Sequence, residues 1–356
     1  MARPCIKAKT TAQLIRKRIL HGDHALNGIP SERLLADELG ISRQTVRSAL
    51  QLLEEEGLLV RQPNRRRTVA RDDQWASQMH TIGFVKHSNS SHNHALWSQA
   101  IRTALEGRNC TLRTLTFEHY GDASIAAALA GFDGIFFLPP AEEIPGWLTS
   151  KMRQSDCKVI VLDQDATRAK LRSVVMFPPQ AEWKLLEHLV ELGHDRIDCV
   201  NTQTRNRIIE GRIAAWQCYI SDRKLVGKLH SLTEFIPIDS AYQLVKNRLL
   251  NGKQLGSALI CTTGPAAIGV MRAFHNAGIK VGRDVSVCAV NDEGLGPYLI
   301  PSLTCLQSPT RAPHLERAIN WILNDHWEGP LLIQPDDVPV FIGASTGLAP
   351  ADRGGL

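Results

Sequence analysis

The sequence predicts a chain in two parts, a small α+β head of helices and a hairpin, then a long α/β body with parallel sheets. Three observations carry that prediction. The whole formal net charge of +5 lies in the first 80 residues, which hold 14 Lys+Arg against 9 Asp+Glu, while residues 81–356 hold 27 of each. Those first residues show short helical patterns joined by a tight turn and followed by a basic hairpin. Beyond them, strand-like and helical runs alternate for nearly 270 residues. A short basic unit on a long neutral one suits a polyanion-binding head joined to a body with another task.

Length and composition set the bounds. At 356 residues, 43% hydrophobic and 22% charged, the chain reads as globular with two or three compact units. Cys5, Cys110, Cys157, Cys199, Cys218, Cys261, Cys288 and Cys305 are scattered without a CxxC pair, which reads as reduced thiols rather than a disulfide framework or zinc site. No run approaches the roughly 18 apolar residues of a membrane span, and the basic N-terminus lacks the apolar stretch of a secretory signal. A cytoplasmic protein without a membrane partner is therefore expected.

In the head, Ala12, Ile15 and Ile19 recur at helical spacing within Thr11 to Leu20, among Arg16, Lys17 and Arg18. "IPSERLLADELG" opens a second helix with Pro30 and the capping hydroxyl of Ser31, places Glu32 in the first turn, and stops at Gly40. Leu34, Leu35 and Leu39 are its expected apolar face. "ISRQTVRSALQLLEEEG" restarts on Ser42, turns Val46, Ala49, Leu50 and Leu53 inward, and ends at Gly57. Two short helices about a turn at Gly40 make a helix-turn-helix candidate. The second helix of such a pair sets its first residues against base edges, here Ser42, Arg43, Gln44 and Arg47. Arginine suits guanine and glutamine suits adenine. By periodicity alone, an amphipathic hairpin with a charged outer face fits equally well. "LLV" and "RTVA" around "RQPN" then read as a hairpin turning at Pro63-Asn64.

The ordered words IPSER, LGISRQTVRSAL and EEEGLL, followed by a basic hairpin, resemble the winged helix-turn-helix domain of the GntR transcription-factor family over about residues 10 to 70. That resemblance implies that Arg33, Ser42, Arg43, Gln44, Thr45 and Arg47 face double-stranded DNA. It also implies that the hairpin tip, with Asn64, Arg65 and Arg66, enters the minor groove. The family's tip glycine is absent, so wing contacts are expected to come from side chains.

Seven runs of the body read as strands: TIGFVK (81–86), TLRTLTF (111–117), DGIFFLP (133–139), KVIVLD (158–163), RIDCVN (196–201), SALICT (257–262) and VSVCAV (285–290). Helical patterns such as LWSQAIRTALEG and PQAEWKLLEHLVELG lie between them, which argues for parallel sheets in two doubly wound halves. Ligands in such sheets bind beyond the carboxyl ends of the strands. "HLVELGHDRI", "EGRIAAWQCYI", "AAIGVMRAFHNAGIKVGRDVSVCAVND", "YLIPSLTCLQ" and "VPVFIGAST" resemble, in order, the sensor domain of the LacI/GalR repressors, which is similar to periplasmic sugar-binding proteins. The resemblance implies a two-lobed sensor whose chain crosses between lobes near Phe177, Gln307 and Val338. The expected boundaries are a winged helix-turn-helix domain over 1–70, a linker over 71–80, and a two-lobed domain over 81–347. Its N-lobe would take about 81–176 and 307–337, its C-lobe about 177–306 and 338–347, with a tail over 348–356. A GntR-type head on this body resembles the arabinose-repressor type of regulator.

Effector-facing residues follow from the same resemblance. Asp163 is a strand-end carboxylate, Arg212 matches the family's effector-binding arginine, and Asn291-Asp292 stand where the family has two acids. Thr263-Gly264 replace a usual Asn-Asp pair. In the first loop, His92, His94 and Trp97 offer hydrogen bonds and a stacking face, although core packing suits Trp97 as well. A zinc cluster of His87, His92 and His94 lacks a fourth ligand at ordinary spacing. No GxGxxG opening a helix, Walker sequence, GxSxG or HExxH is present, so neither an enzyme nor a cofactor is expected. The expected function is a DNA-binding regulator, a repressor by resemblance, acting as a homodimer on a palindrome-like site and controlled by a small effector, a sugar. The alternative is a DNA binder with a degenerate, ligand-independent sensor.

Overall fold

The computed structural model describes residues 6–20, 29–62, 67–69, 79–89, 91–140, 142–233, 236–291 and 293–350. In the head, α1 (Ile6–Leu20), α2 (Glu32–Leu39) and α3 (Arg43–Glu55) precede a hairpin of β1 (Leu59–Arg61) and β2 (Arg67–Val69). The Ser31 hydroxyl accepts from the Leu34 N–H and the Ser42 hydroxyl from the Thr45 N–H, so both expected caps are made. Gly40, at φ 64°, provides the left-handed turn between these helices. The hairpin is antiparallel, with Leu59 opposite Val69 and Arg61 opposite Arg67. Ala12, Ile15, Leu35, Val46, Ala49, Leu50, Leu53 and Leu59 form the core. Leu34 is a correction: it is 54% exposed, and α2 packs through Leu35 and Ala36 instead. The cap at Ser31 sets the phase of this short helix, and Leu34 falls about 100° of helical turn from Leu35.

Two six-stranded sheets make the body. The N-lobe sheet contains β3 (His80–His87), β4 (Cys110–Phe117), β5 (Gly134–Leu138), β6 (Lys158–Leu162), β7 (Arg172–Val174) and β13 (Leu332–Ile333), in the order β13-β7-β6-β5-β3-β4, every pair parallel. The C-lobe sheet contains β8 (Ile197–Asn201), β9 (Leu229–Ser231), β10 (Ala258–Cys261), β11 (Ser286–Ala289), β12 (Thr304–Leu306) and β14 (Val340–Phe341), in the order β14-β12-β11-β10-β8-β9. Its pairs are parallel except β12 with β14, an antiparallel edge. Each of the seven strand-like runs forms a strand. Central strands such as the fully buried Gly134–Leu138 are apolar throughout because helices cover both faces, whereas the edge strand Cys110–Phe117 is only partly buried.

Helices α4 (His92–Leu105), α5 (Ala123–Gly131), α6 (Gly146–Gln154) and α11 (Glu316–Asn324) serve the N-lobe sheet. Helices α7 (Trp183–Glu191), α8 (Arg207–Asp222), α9 (Pro237–Leu250) and α10 (Gly264–Asn276) serve the C-lobe sheet. The chain passes from one sheet to the other after β7, after β12 and after β13. One apolar core runs through these passages, from Phe84, Trp97 and Phe136 by way of Met176, Phe177 and Val338 to Ile197, Trp216 and Cys288.

Residues 343–349 form a strap along the C-lobe. The Ser345 hydroxyl donates to Val287 O at 2.6 Å and accepts from Thr304 N, while Ala349 N donates to Leu192 O. Gly282, at φ 85°, allows the approach: a Cβ there would lie 2.0 Å from Ala344 O. Among the described residues no helix is long and apolar enough to cross a membrane.

Candidate functional site

The head presents a charged face built on α2, α3 and the hairpin. Arg33, Arg43 and Gln44 are exposed and make no hydrogen bond or ion pair among the described residues. Ser42 is occupied as the cap of α3, its hydroxyl also 2.8 Å from that of the half-buried Thr45. Arg47 differs from Arg43. Both its Nε and an Nη lie on Glu32 Oε2, at 3.0 and 2.9 Å, and this bond, together with the charge of Arg67, holds the Glu32 carboxyl below its usual range.

Of the three consecutive arginines, Arg65 and Arg66 lie outside the described residues, as does Asn64. Arg67 turns inward. Its side chain is 9% exposed and bridges Glu32, at 2.9 Å, and Glu54, tying the hairpin to both helices. The sequence offered no sign of this division of labour, because the partners of Arg67 are 13 and 35 residues away.

Between the lobes lies a cleft with a cavity of about 180 Å³. His94, Asp163, Arg212, Thr263 and Asn291 line it, so five of the expected effector residues, from five separate elements or loops, meet around one cavity. Asp163 directly follows β6, at φ 57°. Its Oδ2 accepts from Trp97 Nε1 at 2.6 Å and from Asn93 Nδ2 at 2.8 Å. Trp97 itself is fully buried and lies off the cleft wall; it orients the carboxylate instead of offering a stacking face. Arg311 stacks 4.6 Å from the Trp97 ring centroid and donates to Asn93 O.

Arg212, on α8, is 6% exposed and donates through Nη1 to Thr262 O at 2.6 Å, leaving its buried Nε without a partner. Glu182, also buried, lies beside it with one unpartnered oxygen. Burial lifts the Glu182 carboxyl well above the usual carboxylate range, against the pull of the Arg212 charge, and burial lowers Arg212 in turn. Thr263 precedes α10 with its hydroxyl buried and unpartnered, and Asn291 Oδ1 accepts from Gly264 N in its place. His94 has a buried, unpartnered Nδ1 and is pushed down to about 4, chiefly by burial, so its ring is neutral at neutral pH. Buried polar atoms in folded proteins are almost always satisfied. Arg212, Thr263 and His94, which carry three such unpartnered atoms, all line this cavity.

His92 is exposed and not on the cleft wall, and Asp292 lies outside the described residues. Glu293 was missed by sequence reasoning. It lines the cleft at φ 52°, raised by burial, with His92, Arg311 and the Asn93 N–H nearby. Asn93 in the first turn of α4, Gln203 in the loop after β8 and Asn206 at the N-cap of α8 line it too, and only their nearness to the ends of strands could have flagged them. A second cavity of about 230 Å³ adjoins through Gln164 and Ile208. Beside it, Arg207 of the C-lobe pairs with Asp165 of the N-lobe at 3.1 Å. Among the described residues, no three or more His, Cys, Asp or Glu are grouped to hold a metal, and His87 instead meets Glu118 O.

Comparison with known proteins matches both parts. Residues 7–69 fit the family model for bacterial regulatory proteins of the gntR family, and residues 186–313 that for a periplasmic binding protein-like domain. Among curated proteins, the chain is 25% identical over 160 residues to the HTH-type transcriptional repressor PurR of Vibrio parahaemolyticus, covering 45% of this chain and 48% of the relative. It is 26% identical over 126 residues to the lactose operon repressor of Escherichia coli, covering 35% of this chain and 34% of that one. The chain thus spans half or less of the length of these two relatives. Among solved structures, a dimeric Lac repressor superposes with a TM-score of 0.63 at 19% identity, over 76% of this chain and all of that one. A LacI family regulator from Enterococcus faecium with bound ribose superposes with a TM-score of 0.63 at 18% identity, over 75% of this chain and 98% of that one. At these identities the structural likeness establishes the fold. The chain therefore carries a gntR-type head and a periplasmic-binding-protein-like body.

Proposed function

We propose that this chain is a sequence-specific DNA-binding transcriptional regulator, a repressor, whose operator affinity is set by a small polyhydroxylated ligand, a sugar, held between the lobes. The observation that carries the reading is the cleft wall. Arg212 Nε, the Thr263 hydroxyl and His94 Nδ1 are buried without partners around one cavity, beside the carboxylate of Asp163. Donors and acceptors alternating in a confined space suit hydroxyl groups, each of which donates and accepts. Ribose bound in a structural neighbour and the repressor functions of the curated relatives support the same direction. Arg33, Arg43 and Gln44, exposed on a gntR-type head, supply the DNA-facing groups, and the hairpin tip with Asn64, Arg65 and Arg66 supplies minor-groove charge. Such a regulator works in the cytoplasm as a homodimer on a two-fold site, because ligand-driven movement of two lobes then changes the spacing of two heads.

A thermal-shift screen against pentoses, hexoses, uronic acids and nucleosides tests the ligand, since a bound ligand raises the melting temperature by mass action. Anisotropy titrations on a site selected from a random duplex library, with and without the hit, test the coupling. A stabilising sugar that changes DNA affinity supports the reading. DNA binding that no compound alters favours a ligand-independent sensor, and turnover of a compound would point to an enzyme instead.

A further inference from the structure

Resting on the DNA-binding reading, we infer that Glu32 is a positioning residue that withholds Arg47 from the phosphate backbone and so sets how much of the head's affinity depends on sequence. Three arginines lie on the face formed by α2 and α3, and among the described residues only Arg47 is restrained by a carboxylate. Arg33 and Arg43 are exposed and unpaired among the described residues, whereas Arg47, on the same face of α3 as Arg43, places two nitrogens on one oxygen of Glu32. Glu32 cannot follow Arg47 outward, because Arg67 takes its other oxygen. Arg67 in turn is anchored by Glu54 and nearly buried. The clasp is thus fixed on one side and open on the other, where the Arg47 side chain is 51% exposed.

A carboxylate that receives two guanidinium nitrogens offers Arg47 what a phosphate would offer. On DNA of arbitrary sequence, moving Arg47 from Glu32 to a phosphate exchanges one acceptor for a similar one and gains little. On the proper site, docking of Arg43 and Gln44 brings a base edge or a fixed phosphate to Arg47 in register, and the exchange then adds to binding. Glu32 consequently lowers binding to random DNA more than binding to the operator. The bond to Arg47 and the charge of Arg67 keep the Glu32 carboxylate ionised well below neutral pH, so the clasp is present under ordinary conditions.

The test uses the full chain and two fluorescent duplexes, one of random sequence and one selected from a library by the wild type, titrated across salt concentrations. Glu32→Gln keeps the side-chain shape and its contact with Arg67. It is expected to bind the random duplex about 3- to 10-fold tighter, with the slope of log K against log salt steeper by about one. The ratio between selected and random duplex falls by a similar factor. In an Arg47→Ala background the same change at Glu32 has no further effect, as a double-mutant cycle requires. An unchanged slope and ratio in Glu32→Gln overturns the inference. So does an effect that persists without Arg47, which would mean that Glu32 acts by holding the hairpin through Arg67. If Glu32→Gln lowers the melting temperature, Glu32→Asp keeps the charge beside Arg67 while drawing back from Arg47, and the same slope decides. Absence of salt-dependent DNA binding in the wild type would overturn the regulator reading itself, an outcome distinct from retained binding with an unchanged slope.

Discussion

The head and the cleft both rely on arginine, in opposite ways. In the head, Arg47 is half exposed and Arg67 nearly buried, and both are paired with carboxylates. In the cleft, Arg212 is 6% exposed, close to a carboxyl that burial drives toward neutrality, and its Nε has no partner. Water and salt screen the exposed Arg47–Glu32 pair, so it adds little to stability and can be exchanged for DNA. A buried, half-satisfied guanidinium is a different object. Its desolvation cost has already been met by folding, and a ligand that completes its hydrogen bonds gains nearly their full strength. On the proposed function, one surface is tuned for exchange and the other is preorganised for capture.

The sharpest break of that contrast is Arg212→Ala. We expect the ligand-induced thermal shift to vanish, with a loss of roughly 2–4 kcal/mol in ligand binding, while affinity for the selected duplex without ligand is retained. Loss of both together, with a lowered melting temperature in the absence of ligand, would show that Arg212 serves the fold instead. Next in size is Arg43→Ala, expected to cost about 1–3 kcal/mol on the selected duplex and to relax preference at one base position. An unchanged ratio of selected to random affinity would remove Arg43 from base readout.

A third effect concerns pH. The unfolded value for His94 is 6.5 and burial holds the folded value at about 4, so the native state binds fewer protons between them. Its contribution to stability is complete above about pH 6.5 and is lost as pH falls toward 4, by about 1–2 kcal/mol after allowance for partial exposure. Urea denaturation at stepped pH should show a shallower fall for His94→Gln than for the wild type. The smallest effect belongs to the hairpin tip. Replacing Arg65 and Arg66 by glutamine should weaken binding to all duplexes alike and flatten the salt slope by about one unit per lost phosphate contact. A change confined to the selected duplex would instead place these arginines in sequence readout.

The same contrast marks what the sequence reveals. Both helix caps of the head, the turn at Gly40 and seven body strands are written in local pattern, and local pattern survives folding because it is what the backbone responds to. The short strands Arg172–Val174, Leu229–Ser231, Thr304–Leu306, Leu332–Ile333 and Val340–Phe341 are held by neighbours in the sheet, and two or three residues carry no period to read. At the sites, residue types were legible and partnerships were not. Asp163 stands out as a strand-end acid, yet its bonds to Trp97 and Asn93 span 66 and 70 residues. Glu32 looks like an ordinary first-turn acid until Arg47 and Arg67 are seen upon it. Glu293 follows an Asn-Asp pair and reads as loop until its backbone turns left-handed and aims it at the cleft.

The two late edge strands have a consequence for how the body is made. The N-lobe sheet is completed on one side by β13 and the C-lobe sheet by β14, only a few residues further along the chain, followed by the strap that closes over Gly282. During vectorial synthesis, neither lobe can reach its final edge before the other is almost entirely out, although the strands of the N-lobe begin more than a hundred residues earlier than those of the C-lobe. The lobes therefore mature nearly together. A nascent chain waiting for those segments presents two unfinished sheet edges at once, β7 in one lobe and β12 in the other, and each is a template for misplaced pairing.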